Sequence, residues 1–490
     1  MSKRPASTMK MHETAALLLC RAAFVALGFA PVVLVLFWAF AELVPAYRNA
    51  RTSRWESTLG SVIGVSVEIG SVQHVAPKRF RLDNIQLSHP ETQLPIAQLA
   101  SATVLQVGEN WFVRCASGQV SLVEMPQLWN VTHDWVLCRP GQLSGEVVVS
   151  FDELLVDGDR GQTAFGPSQL SLLPTASEQE LQILLGPAKR DSQSLGSAVL
   201  DGQVAASEEL SPALITVSRE VVKGQPQTTI SVDSGSTPLP CSLAFGIAPS
   251  LRQLGDDATF QGTAAFLQMQ RGWGMWINSQ PGEKTVVYRD RPTTFSRVNF
   301  GRLTDGTEAS VRGEGAITLS RVCVADYGVQ EAVGAVVVNS QRNSVNATFL
   351  KHSCASLGLE HNFDFTGMAP GLIFPFSKLA LQFQYLGEQL RLQGGENGLM
   401  LFGLDGQARI ARRGAQAESD IPVPHVLAAL ERTAAESPRT TGIVGHRDLS
   451  LLARRWLPSY NRSVVSPSGG EHQHVAPRTQ TASNNASNIR

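Results

Sequence analysis

The chain lacks the compact signatures of catalysis. It has no GxSxG elbow, no HExxH pair, no Walker loop and no GxGxxG after a strand. Nucleophilic hydrolysis, zinc proteolysis and nucleotide chemistry therefore have no local sequence basis. The absence of CxxC likewise removes zinc ribbons and thioredoxin-type redox centres. The chain also has no excess of one charge. With 41 Lys and Arg against 42 Asp and Glu, the net charge is −1, and no global field draws nucleic acid or acidic lipid. Metal ligands in a closing pattern are missing too. His472 and His474 stand in a polar tract with no third ligand nearby. Asp157-Gly158-Asp159 resembles part of a calcium loop without its twelfth-position glutamate, so it reads as an ordinary turn. The expectation is a chain with no catalytic residues, metal or cofactor.

What is present begins with one apolar run. Residues 22–44, AAFVALGFAPVVLVLFWAFAELV, carry Glu42 as their only charge. As a helix they span about 34 Å, enough for a bilayer core of about 30 Å. No later segment is long and apolar enough to do the same. Ala39-Phe40-Ala41 fits the small-x-small pattern of a signal cleavage site. The length of the run and the bulky Phe37, Trp38 and Phe40 argue instead for a retained anchor. Lys3, Arg4, Lys10 and Arg21 make the stub 1–21 basic, which keeps it cytoplasmic and sends the body across.

Beyond the run the periodicity is that of strands. Residues 51–62 look helical, with Trp55, Leu59 and Val62 on one face and Ser53 as a candidate cap. Val65, Val67 and Ile69 then alternate with polar residues, the period of a half-buried strand. Strands are expected around Leu82, Ile85 and Leu87, over 96–107 and 120–123, and at Val147, Val149 and Phe151. Further ones are expected over 180–185, 214–217 and 228–232. In the distal half Leu379, Leu381, Phe383 and Tyr385 alternate with Ala380, Gln382 and Gln384. The first set is expected inward and the second outward. Helical patterns return at 424–431 and 448–457, and residues 462–490 are too polar to fold.

Six cysteines are present. Cys115 and Cys138 flank a tryptophan-rich segment and form the candidate disulfide, with Cys323 and Cys354 as a second possible pair. Buried small apolar thiols are the alternative. His133-Asp134 beside Trp129 and Trp135 suggests a pocket, although packed aromatics explain the cluster more simply.

The stretch 55–105 resembles the start of AsmA-like proteins. The resemblance is carried by Leu59-Gly60, by Ile63-Gly64-Val65-Ser66-Val67-Glu68-Ile69 and Val72, and by Arg81-Leu82-Asp83-Asn84-Ile85-Gln86-Leu87. Pro90-Glu91-Thr92, Pro95-Ile96-Ala97 and Val104 continue it, and Leu390-Arg391-Leu392 and 404–408 give a weaker distal echo. The resemblance implies an envelope protein of a double-membrane bacterium, anchored in the inner membrane with its body in the periplasm. It implies phospholipid as partner along an apolar groove, or a part in outer-membrane assembly with envelope protein partners and no nucleic acid. The body is far shorter than that of the family's bridging members. The expected fold is mainly β: a single transmembrane helix, then an elongated, curved, groove-like antiparallel sheet over 48–410. A short helical segment over 411–461 precedes the tail. Leu379, Leu381, Phe383 and Tyr385 are the candidate groove residues. The alternatives are a scaffold whose sheet binds protein partners, and a degenerate membrane-bound hydrolase.

Overall fold

A computed structural model of the chain describes residues 18, 20–25, 32–33 and 44–436. It omits 138–144, 159–160, 175–178, 190–210, 223–224, 245–247, 270–271, 279–291, 306, 308, 326–327, 370, 388, 396–397 and 413–418. Most of the apolar run 22–44, the stub, the expected helix at 448–457, Cys138, His472, His474 and the tail lie outside the described residues. Among the described residues no helix is long and apolar enough to cross a membrane. The fold is mainly β, as the alternation required.

Helix α1 (Pro45–Ile63) opens the body. It starts ahead of the expected Arg51, because Pro45 fits a first turn whose N–H needs no partner. Ser53 is therefore inside the helix and does not cap it. Gly64, at φ 78°, ends the helix by donating its N–H to Gly60 O at 2.8 Å. The helix lays Trp55 and Leu59 on the first strands.

Strands β1 (Ser66–Ala76), β2 (Arg79–Ser88), β3 (Pro95–Val107) and β4 (Asn110–Ser121) form an antiparallel meander. The β2–β3 turn closes on His89, whose Nδ1 accepts from the N–H of Glu91 and of Thr92. Inward alternation slips by one residue part-way along: Val67 and Ile69 are buried, then Val72, and likewise Leu82, then Ile85. The slip sits at Gly70 and Asn84. Asn84 holds φ 53°, and a Cβ on Gly70 would lie 3.0 Å from the Asn84 Cβ. β1 pairs only with β2 among the described strands. Its other edge is covered by α1. Glu56 Oε1 accepts from Ile69 N at 2.9 Å, and the Arg51 guanidinium donates to Val72 O. Such cover blunts an edge that would otherwise invite another strand.

The chain then crosses back through α2 (Met125–Val131) and a wide turn, Thr132–Leu137. β5 (Val147–Gly158) consequently lies parallel to β4, a departure from the expected antiparallel sheet. A crossover permits what a hairpin cannot. β5 is partnered along its two halves by β6 (Gly161–Phe165) and β7 (Ser168–Pro174). β8 (Gln179–Leu185), the short β9 (Ala188–Lys189), β10 (Ala213–Val222) and β11 (Gln225–Asp233) follow. Beyond these come β12 (Leu239–Pro240), β13 (Thr259–Gln261), β14 (Thr263–Met269), β15 (Gly272–Ile277) and β16 (Thr293–Asn299). β17 (Glu314–Ala325) and β18 (Gly328–Val338) form a long hairpin.

The distal part adds β19 (Asn343–Asn346), α3 (Ala347–Leu357), β20 (Glu360–His361) and β21 (Ile373–Phe376). It continues with β22 (Lys378–Leu386), β23 (Gln389–Gly394), β24 (Leu399–Phe402), β25 (Ala408–Ala411) and β26 (Ile421–Pro422), and then α4 (Val423–Glu436). All strands but β19 and β21, which pair with each other, belong to one large sheet. Residues 421–436 are part of this body: β26 pairs with β23, and α4 packs on α3.

One expectation on β22 fails. Ala380 is buried rather than outward-facing. The turn after β23 folds over it: Gly395 donates to Ala380 O at 3.1 Å, with room for no larger side chain at either position.

Candidate functional site: the apolar face of the sheet

In neighbouring strands, residues directly opposite point to the same face. Following such pairs across the sheet gives one unbroken apolar row. It starts Phe80–Val104–Val113–Val149–Leu170–Ile183–Ile215, one residue from each of β2, β3, β4, β5, β7, β8 and β10. It continues Val232–Ala264–Ile277–Val322–Ala332–Tyr385–Leu390 through β11, β14, β15, β17, β18, β22 and β23. A parallel row runs Trp111–Val147–Leu172–Leu181–Val217 and then Ile230–Phe266–Met275–Val324–Val329. On the opposite face of β7, β8, β10 and β11, Ser171, Gln182, Thr216 and Ser231 stand in register.

The two rows join core clusters that sequence distance separates. Ile183, Ile215, Val232 and Phe266 pack on both the cluster of Leu172, Leu181, Val217 and Ile230 and the cluster of Val156, Phe165 and Ile277. Trp129 and Leu137, from α2 and the turn after it, cover part of the second row. In the middle of the first row, Val149, Leu170, Ile183, Ile215 and Val232 stay only half-buried. The face is thus continuous but unevenly covered.

The predicted residues divide along β22. Leu379 and Leu381 pack on the distal cluster around Val338, Phe376 and Leu401. Phe383 is half-buried opposite Gly334, where its ring lies 3.1 Å from the position a Cβ would take. Tyr385 is buried under Val423 and Leu427 of α4, and its hydroxyl donates to Gly387 O. Gln382 and Gln384 look the other way. With Thr318, Val333, Arg391 and Gln393, and with Gly334 and Phe383, they line a shallow cavity of about 320 Å³.

Cys115 is a free, fully buried thiol in the first core, and its candidate partner Cys138 lies outside the described residues. Burial, with Asp152 adding to it, pushes the Cys115 thiol up to about 12; burial alone does the same for Cys241 and Cys354. The second possible pair is not formed. Cys354 is buried in α3, whereas Cys323 lies on β17 with its sulfur 3.6 Å from Gln330 Oε1. Asp157 accepts from two glutamines: Gln162 donates to its Oδ1 at 2.8 Å and Gln119 to its Oδ2. Among the described residues no three metal-binding side chains converge.

Sequence reasoning named His133 beside Trp129 but missed Arg219 and Thr228, which join it at one margin of the apolar face. Arg219 stands two residues beyond Val217 on the inward side of β10, directly opposite Thr228 of β11. Its Nη1 donates to Thr228 Oγ1 at 2.9 Å and lies 3.3 Å from His133 Nε2. The His133 ring is 5.9 Å from that of Trp129. Beside the His133 and Trp129 cluster, the signal for Arg219 in the sequence was a charged residue in phase with Ile215 and Val217.

Compared with known proteins, the chain has no match among family models, curated proteins or solved structures.

Proposed function

We propose that the chain is a non-enzymatic envelope protein. It is held in a bacterial inner membrane by residues 22–44, and its periplasmic β-sheet body handles phospholipid along a curved apolar groove or so supports outer-membrane biogenesis. The observation that carries this reading is the unbroken apolar row from Phe80 to Leu390, half-buried through its middle. An acyl chain laid along such a row gains about 0.8 kcal/mol for each methylene removed from water. The resemblance of 55–105 to AsmA-like proteins points the same way. The test is mass spectrometry of organic extracts from the full chain purified out of cell membranes. Stoichiometric phospholipid is expected; extracts matching those of an unrelated anchored protein would refute the reading.

A second reading is a scaffold for envelope protein partners. It is favoured by Leu105 and Phe112, which pair across β3 and β4 and are both exposed on the outer side, with exposed Val107 beside them. Photo-crosslinking from Phe112 separates the readings. Capture of a defined protein, together with lipid-free extracts, favours the scaffold.

A further inference from the structure

On β10 the inward-facing residues run from core to rim: Ala213 and Val217 are buried, Ile215 and Arg219 half-buried, and Val221 is 67% exposed. Arg219 therefore sits where the apolar face meets solvent. It has no carboxylate within ion-pair distance among the described residues. Glu180 pairs with Ser218, and Glu220 is one residue on, so both alternate to the opposite face. A guanidinium half-removed from water without a counter-charge is costly unless an anion completes it. Its planar fork suits phosphate oxygens, which it can take two at a time. Thr228, 1% exposed, fixes one nitrogen of the fork, and His133 places a second nitrogen donor or acceptor beside it. Val217 and Ile230, cross-strand partners two residues inward, are buried, and the half-buried apolar face opens at the next inward pair, Ile215 and Val232.

We infer that Arg219, with His133 and Thr228 beside it, binds the phosphate of a phospholipid whose acyl chains lie on the half-buried part of the apolar face at Ile215 and Val232. The inference rests on the lipid reading and gives that face a polarity, headgroup at the Arg219 margin and tails inward. Phosphate on a diacyl lipid and free phosphate would meet the same three side chains, so the experiment separates them.

The full anchored chain in detergent micelles is titrated with dioleoylphosphatidylglycerol, with dioleoylglycerol and with inorganic phosphate. Binding is followed by lipid displacement and by the ring signals of His133. The expected result is at least a tenfold preference for the phosphate-bearing lipid over the diglyceride. Arg219→Gln should abolish that preference while leaving diglyceride binding unchanged, and Arg219→Lys should keep part of it. Equal unfolding midpoints for the two variants separate the loss of charge from loss of fold. If the Arg219→Gln variant keeps the full preference, or the wild type shows none, the inference fails while the lipid reading stands. If neither lipid binds but inorganic phosphate moves the His133 signals in an Arg219-dependent way, the site serves a soluble anion, and both the lipid assignment and the lipid reading fall. If no ligand binds, both fall together.

Discussion

Ile215 and Ile230 offer a direct contrast between a ligand-covered surface and a packed core. They lie on adjacent strands and the same face, but Ile230 is 2% exposed within a buried cluster while Ile215 is half-buried. Truncating Ile230 to Ala should cost about 3–4 kcal/mol, since it removes buried carbons and leaves a cavity. Truncating Ile215 in the lipid-free chain should cost only about 1–2 kcal/mol, because part of its side chain already faces solvent. In lipid affinity the order should invert. Three carbons that an acyl chain covers are worth about 1–2 kcal/mol of binding, a tenfold loss in affinity. The assay pairs urea unfolding of the delipidated full chain with displacement of a fluorescent phospholipid. If Ile215→Ala destabilises the fold as much as Ile230→Ala and leaves lipid displacement unchanged, Ile215 is an ordinary core residue and the groove reading loses its central surface.

Further outcomes are expected elsewhere. Gly334→Ala would place a Cβ 2.4 Å from Thr318 O, so it should destabilise the β17–β18–β22 region by about 2–3 kcal/mol, read by urea unfolding. Glu56→Ala strands the N–H of Ile69 and uncovers the β1 edge. A loss of about 1–2 kcal/mol and a rise in aggregation measured by light scattering should follow. Folding raises the thiol pKa values of Cys115, Cys241 and Cys354 to about 12. Their contribution to stability is whole below the unfolded thiol pKa of about 8.5 and is lost as pH rises towards about 12. Unfolding midpoints should fall over that window, and fall less in a Cys241→Ala/Cys354→Ala variant. At pH 8 these thiols should resist alkylation in the native chain and react once it is unfolded. A photo-crosslinker at Leu381 should capture phospholipid in cells, whereas one at Gln382, which alternates to the opposite face, should not.

The local grammar of the chain was legible because alternation is a property of single strands. Val65, Val67 and Ile69, or Leu379 and Leu381, declare a face without reference to any neighbour. The slip at Gly70 and Asn84 was not legible, since it depends on a left-handed backbone at Asn84 that the meander shares across strands. Ala380 misled for a similar reason: its burial comes from Gly395, a turn away, and not from its own strand's period. The apolar row was hidden more deeply. It exists only through register, and register joins Val149 to Leu170, Ile183, Ile215 and Val232 across loops whose lengths carry no periodic signal. The same holds for Arg219. In sequence it is one arginine beside Ser218 and Glu220; in the sheet it is the charge that ends an apolar stripe, fixed by a threonine nine residues away and a histidine from another element. A sheet of this kind therefore states its hydrophobic face in its sequence and conceals the margin of that face. The margin is where a ligand's polar group has to be met, so the most specific part of the proposed chemistry comes from the cross-strand partners.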